Sequence, residues 1–102
     1  MNKMVHKILK SKKLKKYIII GKRWFDKVNG NTYHSTTVID VDTNEQVAYS
    51  GVVYGYGDSW KQTGYDELKK LGLVKEEDRF NHELNHKRFI YVDAGYHNKR
   101  DL

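Results

Sequence analysis

The chain has 102 residues and a mass of 12.1 kDa, room for one small domain and not for a multidomain enzyme or a large barrel. With 38% apolar and 31% charged residues and no Pro it reads as a globular chain with a heavily solvated surface, and the lack of Cys excludes disulfides, thiolate nucleophiles and Cys-based zinc fingers. No apolar run exceeds four residues and the basic start lacks the apolar core of a signal peptide, so a cytoplasmic protein without membrane contact is expected.

Charge is uneven along the chain. The total is +6, yet residues 1–27 hold ten basic side chains against Asp26 alone, while residues 28–68 set Lys61 against six carboxylates. Lys10, Lys12, Lys13, Lys15 and Lys16 fall within seven residues. Such a density attracts phosphate backbones or an acidic protein surface. Lysine runs are more often plain solvated arms, and the absence of Arg from this one favours loose point-charge attraction over the reading of base edges.

Met4, Val5, Ile8 and Leu9 recur at helical spacing, so residues 2–10 fit one or two amphipathic turns that need docking to persist. Residues 1–16 are therefore expected to be a basic arm or short helix, ahead of a single domain over 17–92. From Tyr17 the residues become β-branched and aromatic up to Trp24-Phe25, and Asn29-Gly30 predicts a primed hairpin turn. A second strand is expected from Thr32 to about Val41. Asp42-Thr43-Asn44-Glu45 makes the next turn, and Gln46 to Tyr54 a third strand, completing an antiparallel meander. Asp58 or Ser59 can cap a helix from about Trp60 to Leu71, stopped by Gly72. Gly64 sits inside that helix on the face of Trp60, Leu68 and Leu71, where its cost of roughly 1 kcal/mol against Ala is best explained by close approach to the sheet. Residues 73–86 are polar and fit either a loop or a short helix around Glu76 to His86. Phe89 to Val92 reads as a last strand, and 93–102 as a polar tail. The fold class is α+β: an antiparallel meander of three to four strands with one main helix on a face.

Three motifs carry possible chemistry. His82-Glu83-Leu84-Asn85-His86 matches the H-E-x-x-H zinc motif letter for letter, which would place two His on one helical face with the Glu polarising water. Its polar flanks, Asn81, Lys87 and Arg88, and the lack of a second lobe make a solvated helix end the better reading. His82 and His86 are thus only weak metal candidates, and no metal or other cofactor is expected. Tyr54-Gly55-Tyr56-Gly57-Asp58 resembles a phosphate cradle but has no lysine in the required place, and Asp58 would repel an anion. A tight strand-to-helix turn fits it better. Tyr33-His34-Ser35 alternates across a strand, so His34 and Ser35 cannot form a dyad and His34 is expected to be partly exposed. Trp24, Trp60 and Phe89 are assigned to the core. The remaining aromatics suit stacking on bases or burial in a protein interface.

The string Val28-Asn29-Gly30-Asn31-Thr32-Tyr33-His34-Ser35, followed by Tyr54-Gly55-Tyr56-Gly57-Asp58 and Gln62-Thr63, resembles a group of small uncharacterised phage and prophage proteins over roughly residues 17–72. The ending Lys99-Arg100-Asp101-Leu102 is similar as well, whereas the Lys-rich N-terminus departs from the shared part. The resemblance implies a non-enzymatic host-interaction protein in the bacterial cytoplasm, with an anti-CRISPR inhibitor of an RNA-guided nuclease as the leading expectation. Tyr33, Tyr54 and Tyr56 would be its partner-binding anchors, and Lys10, Lys12, Lys13, Lys15 and Lys16 would steer association. A net charge of +6 argues against DNA mimicry, so the nuclease or its RNA/DNA complex would be docked directly. A basic nucleic-acid-binding module regulating phage genes is the competing class, and a zinc-dependent peptidase the remote one.

Overall fold

The computed structural model describes residues 15–75 and 87–102. Lys10, Lys12 and Lys13, the amphipathic stretch 2–10, and the His82–His86 motif lie outside the described residues. The fold is α+β: strands β1 (Tyr17–Asp26), β2 (Asn31–Asp40), β3 (Glu45–Tyr49), β4 (Val53–Tyr54) and β5 (Phe89–Tyr96) form one sheet, with a helix α1 (Ser59–Lys70) on one face.

Local chemistry explains the turns. The β1–β2 hairpin closes through the four residues 27–30 and not through a two-residue primed turn. The Asp26 carboxylate draws the chain into this wider loop by accepting from the Val28 and Asn29 amides at 3.0 and 3.3 Å and from Asn29 Nδ2 at 2.9 Å. Gly30 then takes a φ of +71°. Asp40 repeats the device after β2, its Oδ1 accepting from the amides of Asp42 and Thr43.

The expected third strand is split. Both pieces pair antiparallel with β2, but the Thr36 amide donates to Ser50 Oγ and the Ser50 amide to the Thr36 carbonyl, while Gly51 turns at φ +76°. These bonds replace regular ladder pairing between β3 and β4. The last strand joins beside β1, and in parallel, with Tyr17 opposite Phe89 and Gly21 opposite Asp93. A parallel neighbour demands a crossover, and the passage through α1 supplies it. β5 also runs four residues beyond Val92. The His97 amide donates to the Arg23 carbonyl at 2.6 Å, and Lys22 Nζ reaches the Asp101 carbonyl at 3.1 Å in a 3-10 turn, Lys99–Asp101. Residues 93–102 are therefore held against the sheet and do not form the polar tail expected.

Helix α1 starts after Asp58, whose side chain makes no capping bond; Ser59 Oγ donates instead to the Tyr56 carbonyl at 2.7 Å. It ends as the sequence predicts. Gly72, at φ +75°, bonds the Lys69 carbonyl and Leu73 bonds the Leu68 carbonyl, the paired pattern of a Schellman stop. Trp60, Tyr65 and Leu68 pack on Tyr17, Ile19, Val38, Val74 and Phe89. Two glycines set the approach: a Cβ on Gly64 would stand 2.6 Å from Ile19 Cγ2, and one on Gly21 would stand 2.1 Å from Trp60 Cδ2. Gly64 thus has the packing role its position predicted.

Acid stability follows from the turn carboxylates. The Asn29 side chain holds the Asp26 carboxyl below the usual range, Lys15 does the same for Asp40, and the Gly95 amide followed by Arg23 for Asp93. A depressed carboxyl adds stability that is complete above its unfolded value near 3.9 and is lost as pH falls through the lower folded value. Urea midpoints measured between pH 5 and pH 2 should therefore fall, and Asp40→Asn should make that fall shallower.

Candidate docking face

The faces of the sheet follow from pairing. Ile19, Gly21 and Arg23 of β1 lie opposite Val38, Thr36 and His34 of β2, and these share the side of α1, since His34 bonds Thr63 and Thr36 Oγ1 bonds the Trp60 carbonyl. The alternate residues face the other way. There they form rows across the strands: Gln46, Ile39, Ile18 and Ile90; then Tyr49, Thr37, Ile20 and Val92; then Ser35 and Lys22; and lastly Tyr54, Tyr33 and Trp24. Among the described residues no element lies over the two aliphatic rows. Ile90 is 49%, Val92 40%, Tyr49 45% and Tyr54 60% exposed.

The aromatic row is continuous. Trp24 stacks on Tyr33 with centroids 5.4 Å apart, and Tyr33 meets Tyr54 edge-to-face at 5.6 Å. Such pairs add about 0.5–1.5 kcal/mol beyond burial and hold the rings in fixed orientations. Lys99 Nζ stands 5.4 Å from the Trp24 ring centre. Beside this row a cleft of about 750 Å³ opens between the hairpin and the C-terminal turn, lined by Phe25, Val28, Tyr96 and His97 among others.

Tyr33 and Tyr54, singled out in the sequence, are thus brought together, and Trp24 joins them. Its assignment to the core is corrected: Trp60 and Phe89 are buried at 1% and 5%, but Trp24 is on the face away from α1. Nothing in the sequence marked it, because β1 is apolar on both sides over Tyr17 to Ile20. Tyr56 is exposed in the turn before α1 and lies outside the row.

Lys15 and Lys16 are at the opposite end of the sheet. Lys15 pairs with Asp40 at 3.0 Å and with Asp42 at 3.6 Å. From Tyr17 to Trp24 the strand rises about 23 Å, so these lysines do not flank the aromatic row.

His34 is buried, not partly exposed, and holds the glycine-rich turn. The Gly55 carbonyl can only accept, so Nδ1 carries a proton and donates at 3.1 Å, while Nε2 hydrogen-bonds the Thr63 hydroxyl at 2.7 Å. A Cβ on Gly55 would stand 2.9 Å from the imidazole, which explains the glycine. The Gly55 and Gly57 carbonyls are directed at His34 and Arg23, so the turn presents these acceptors inward. Among the described residues no three ligating side chains converge, and no helix is long and apolar enough to cross a membrane. Comparison with protein-family models, curated proteins and solved structures finds no match to this chain.

Proposed function

We propose that the chain is a protein-docking module that acts by occupying a partner's surface through the sheet face opposite α1. The observation that carries this reading is the uncovered apolar face: two aliphatic rows leading to the Trp24–Tyr33–Tyr54 row. Desolvated aromatic anchors beside a small cleft are the usual energetic centre of a protein interface. A strand-tracking nucleic-acid binder would instead carry free cations alongside its rings. Here Lys22 is bonded to the Asp101 carbonyl and Lys15 is paired at the far end, and Lys99 over Trp24 with Lys27 beside the cleft fall short of a basic stripe along the row. The resemblance to phage proteins narrows the reading to a host factor, with an RNA-guided nuclease as the first partner to assay.

Affinity capture from phage-permissive host lysate, with and without nuclease treatment, tests the reading. A captured protein should remain after nuclease treatment and at about 200 mM salt, whereas contacts to six or more phosphates would weaken by about 10³-fold or more between roughly 50 and 200 mM. Tyr33→Ala and Tyr54→Ala should each lower the affinity for that protein about 30-fold, the cost of losing a central anchor, with the circular dichroism of the exposed Tyr54 variant unchanged. Recovery of nucleic acid alone, with no effect on guided cleavage, would reject docking and favour the nucleic-acid module.

A further inference from the structure

We infer that the chain self-associates through the outer edge of β5, which pairs antiparallel with β5 of a second copy to make one sheet running through both. The sheet order is β3-β2-β1-β5, so β5 is an end strand, and among the described residues its outer side has no partner. Natural edges are protected by shortness, bulges, Lys or Pro. The β3 edge is the better protected of the two: it begins with the charged Glu45, its register shifts in the middle of the pairing with β2, and it is interrupted before β4. β5 pairs regularly over Phe89–Asp93 before a bulge at Gly95, has neither Lys nor Pro, and exposes Ile90, Tyr91, Val92 and Asp93 in succession. An apolar edge of that length is a template for another strand.

A second copy fits the edge by its own sequence. With Tyr91 on the two-fold axis, Tyr91 lies opposite Tyr91 of the partner copy and Ile90 opposite Val92, so the apolar residues of the open face pair twice. Asp93, which Arg23 of its own chain pairs at 2.5 Å, falls opposite Phe89 of the other copy, so no like charges stand directly opposite across the joint. The alternative of β5 on β3 would leave a free edge at both ends and grow without limit, and the protected β3 edge opposes it. One strand pair buries less than the ~1,200 Å² of a stable interface, so the dimer should dissociate on dilution.

The test uses the purified full chain alone, so its outcome is independent of any partner protein. Sedimentation over roughly a 500-fold concentration range should show a reversible passage from one to two chain masses. Lysines at two edge positions, Ile90→Lys with Val92→Lys, should weaken that association at least about tenfold while circular dichroism stays unchanged. Because the chain has no Cys, a register probe is available. Directly opposite Cα atoms lie about 4.5–5.5 Å apart, within disulfide range, so Tyr91→Cys should oxidise to a covalent dimer and Glu45→Cys on the other edge should not. A chain that remains monomeric throughout, polymers beyond the dimer, a dimer indifferent to the lysine pair, or equal crosslinking at Glu45 would each overturn the inference.

Discussion

Gly21→Ala should destabilise the fold by about 3 kcal/mol or more, although it adds a single methyl group. The new Cβ would sit 2.1 Å from Trp60 Cδ2 and 2.5 Å from Cε3. Neither side can yield cheaply. Gly21 lies mid-strand, held between Thr36 of β2 and Asp93 of β5, and Trp60 is 1% exposed within the core. The indole must leave its seat, separating α1 from the sheet and disturbing the Thr36 Oγ1 bond to the Trp60 carbonyl. In a domain of this size the expected loss lowers the melting temperature by roughly 15 °C, measurable by calorimetry. A companion change, Trp60→Ala with Gly21→Ala, should cost clearly less than the sum of the two single changes, because without the indole the new Cβ has nothing to clash with. Full stability in the single variant would show that α1 does not pack on Gly21.

Replacement of His34 by Leu should cost about 3 kcal/mol and act locally as well as globally. The imidazole is 1% exposed and holds two elements at once, the Gly55 carbonyl through Nδ1 and the Thr63 hydroxyl of α1 through Nε2. Leucine fills similar space but leaves that carbonyl without its donor, which is the costly case for a buried polar group. Hydrogen exchange should report it first at the Gly55 amide, which donates to the Thr32 carbonyl, and at Ser59, whose amide bonds Tyr56. His34→Gln offers one donor and one acceptor and should recover part of the loss. Equal destabilisation by Gln and Leu would point to ring packing instead of hydrogen bonding. Because Tyr54 precedes this turn, loosening it also frees one end of the aromatic row, so the Leu variant should weaken docking without touching the partner.

Much of the architecture is legible in the residues themselves. Turn chemistry at Asp26, Asp40 and Gly72 acts over three or four positions, and each marks the end of an element the sequence predicts. Gly64 is legible too, since a costly glycine on an apolar helix face needs a close neighbour, and Ile19 and Thr36 are that neighbour. The interruption at Ser50 to Val52 is not, because it depends on which Thr36 groups Ser50 meets across the sheet. The status of His34 was hidden for the same reason: its partners are 21 and 29 residues away.

The sequence by itself determined the class of fold, the first two strands, the helix and its stop, because propensity and turn bonding are local and act whatever surrounds them. Tertiary structure alone decided that β5 enters in parallel beside β1, that Trp24 joins Tyr33 and Tyr54, and that Lys15 and Lys16 stand at the other end. The physical reason lies in β1, whose apolar residues on both sides give its period of two no preferred direction. The choice falls to the one side where Gly21 leaves room for Trp60, and once the indole is seated there every second residue of the sheet is left facing outward.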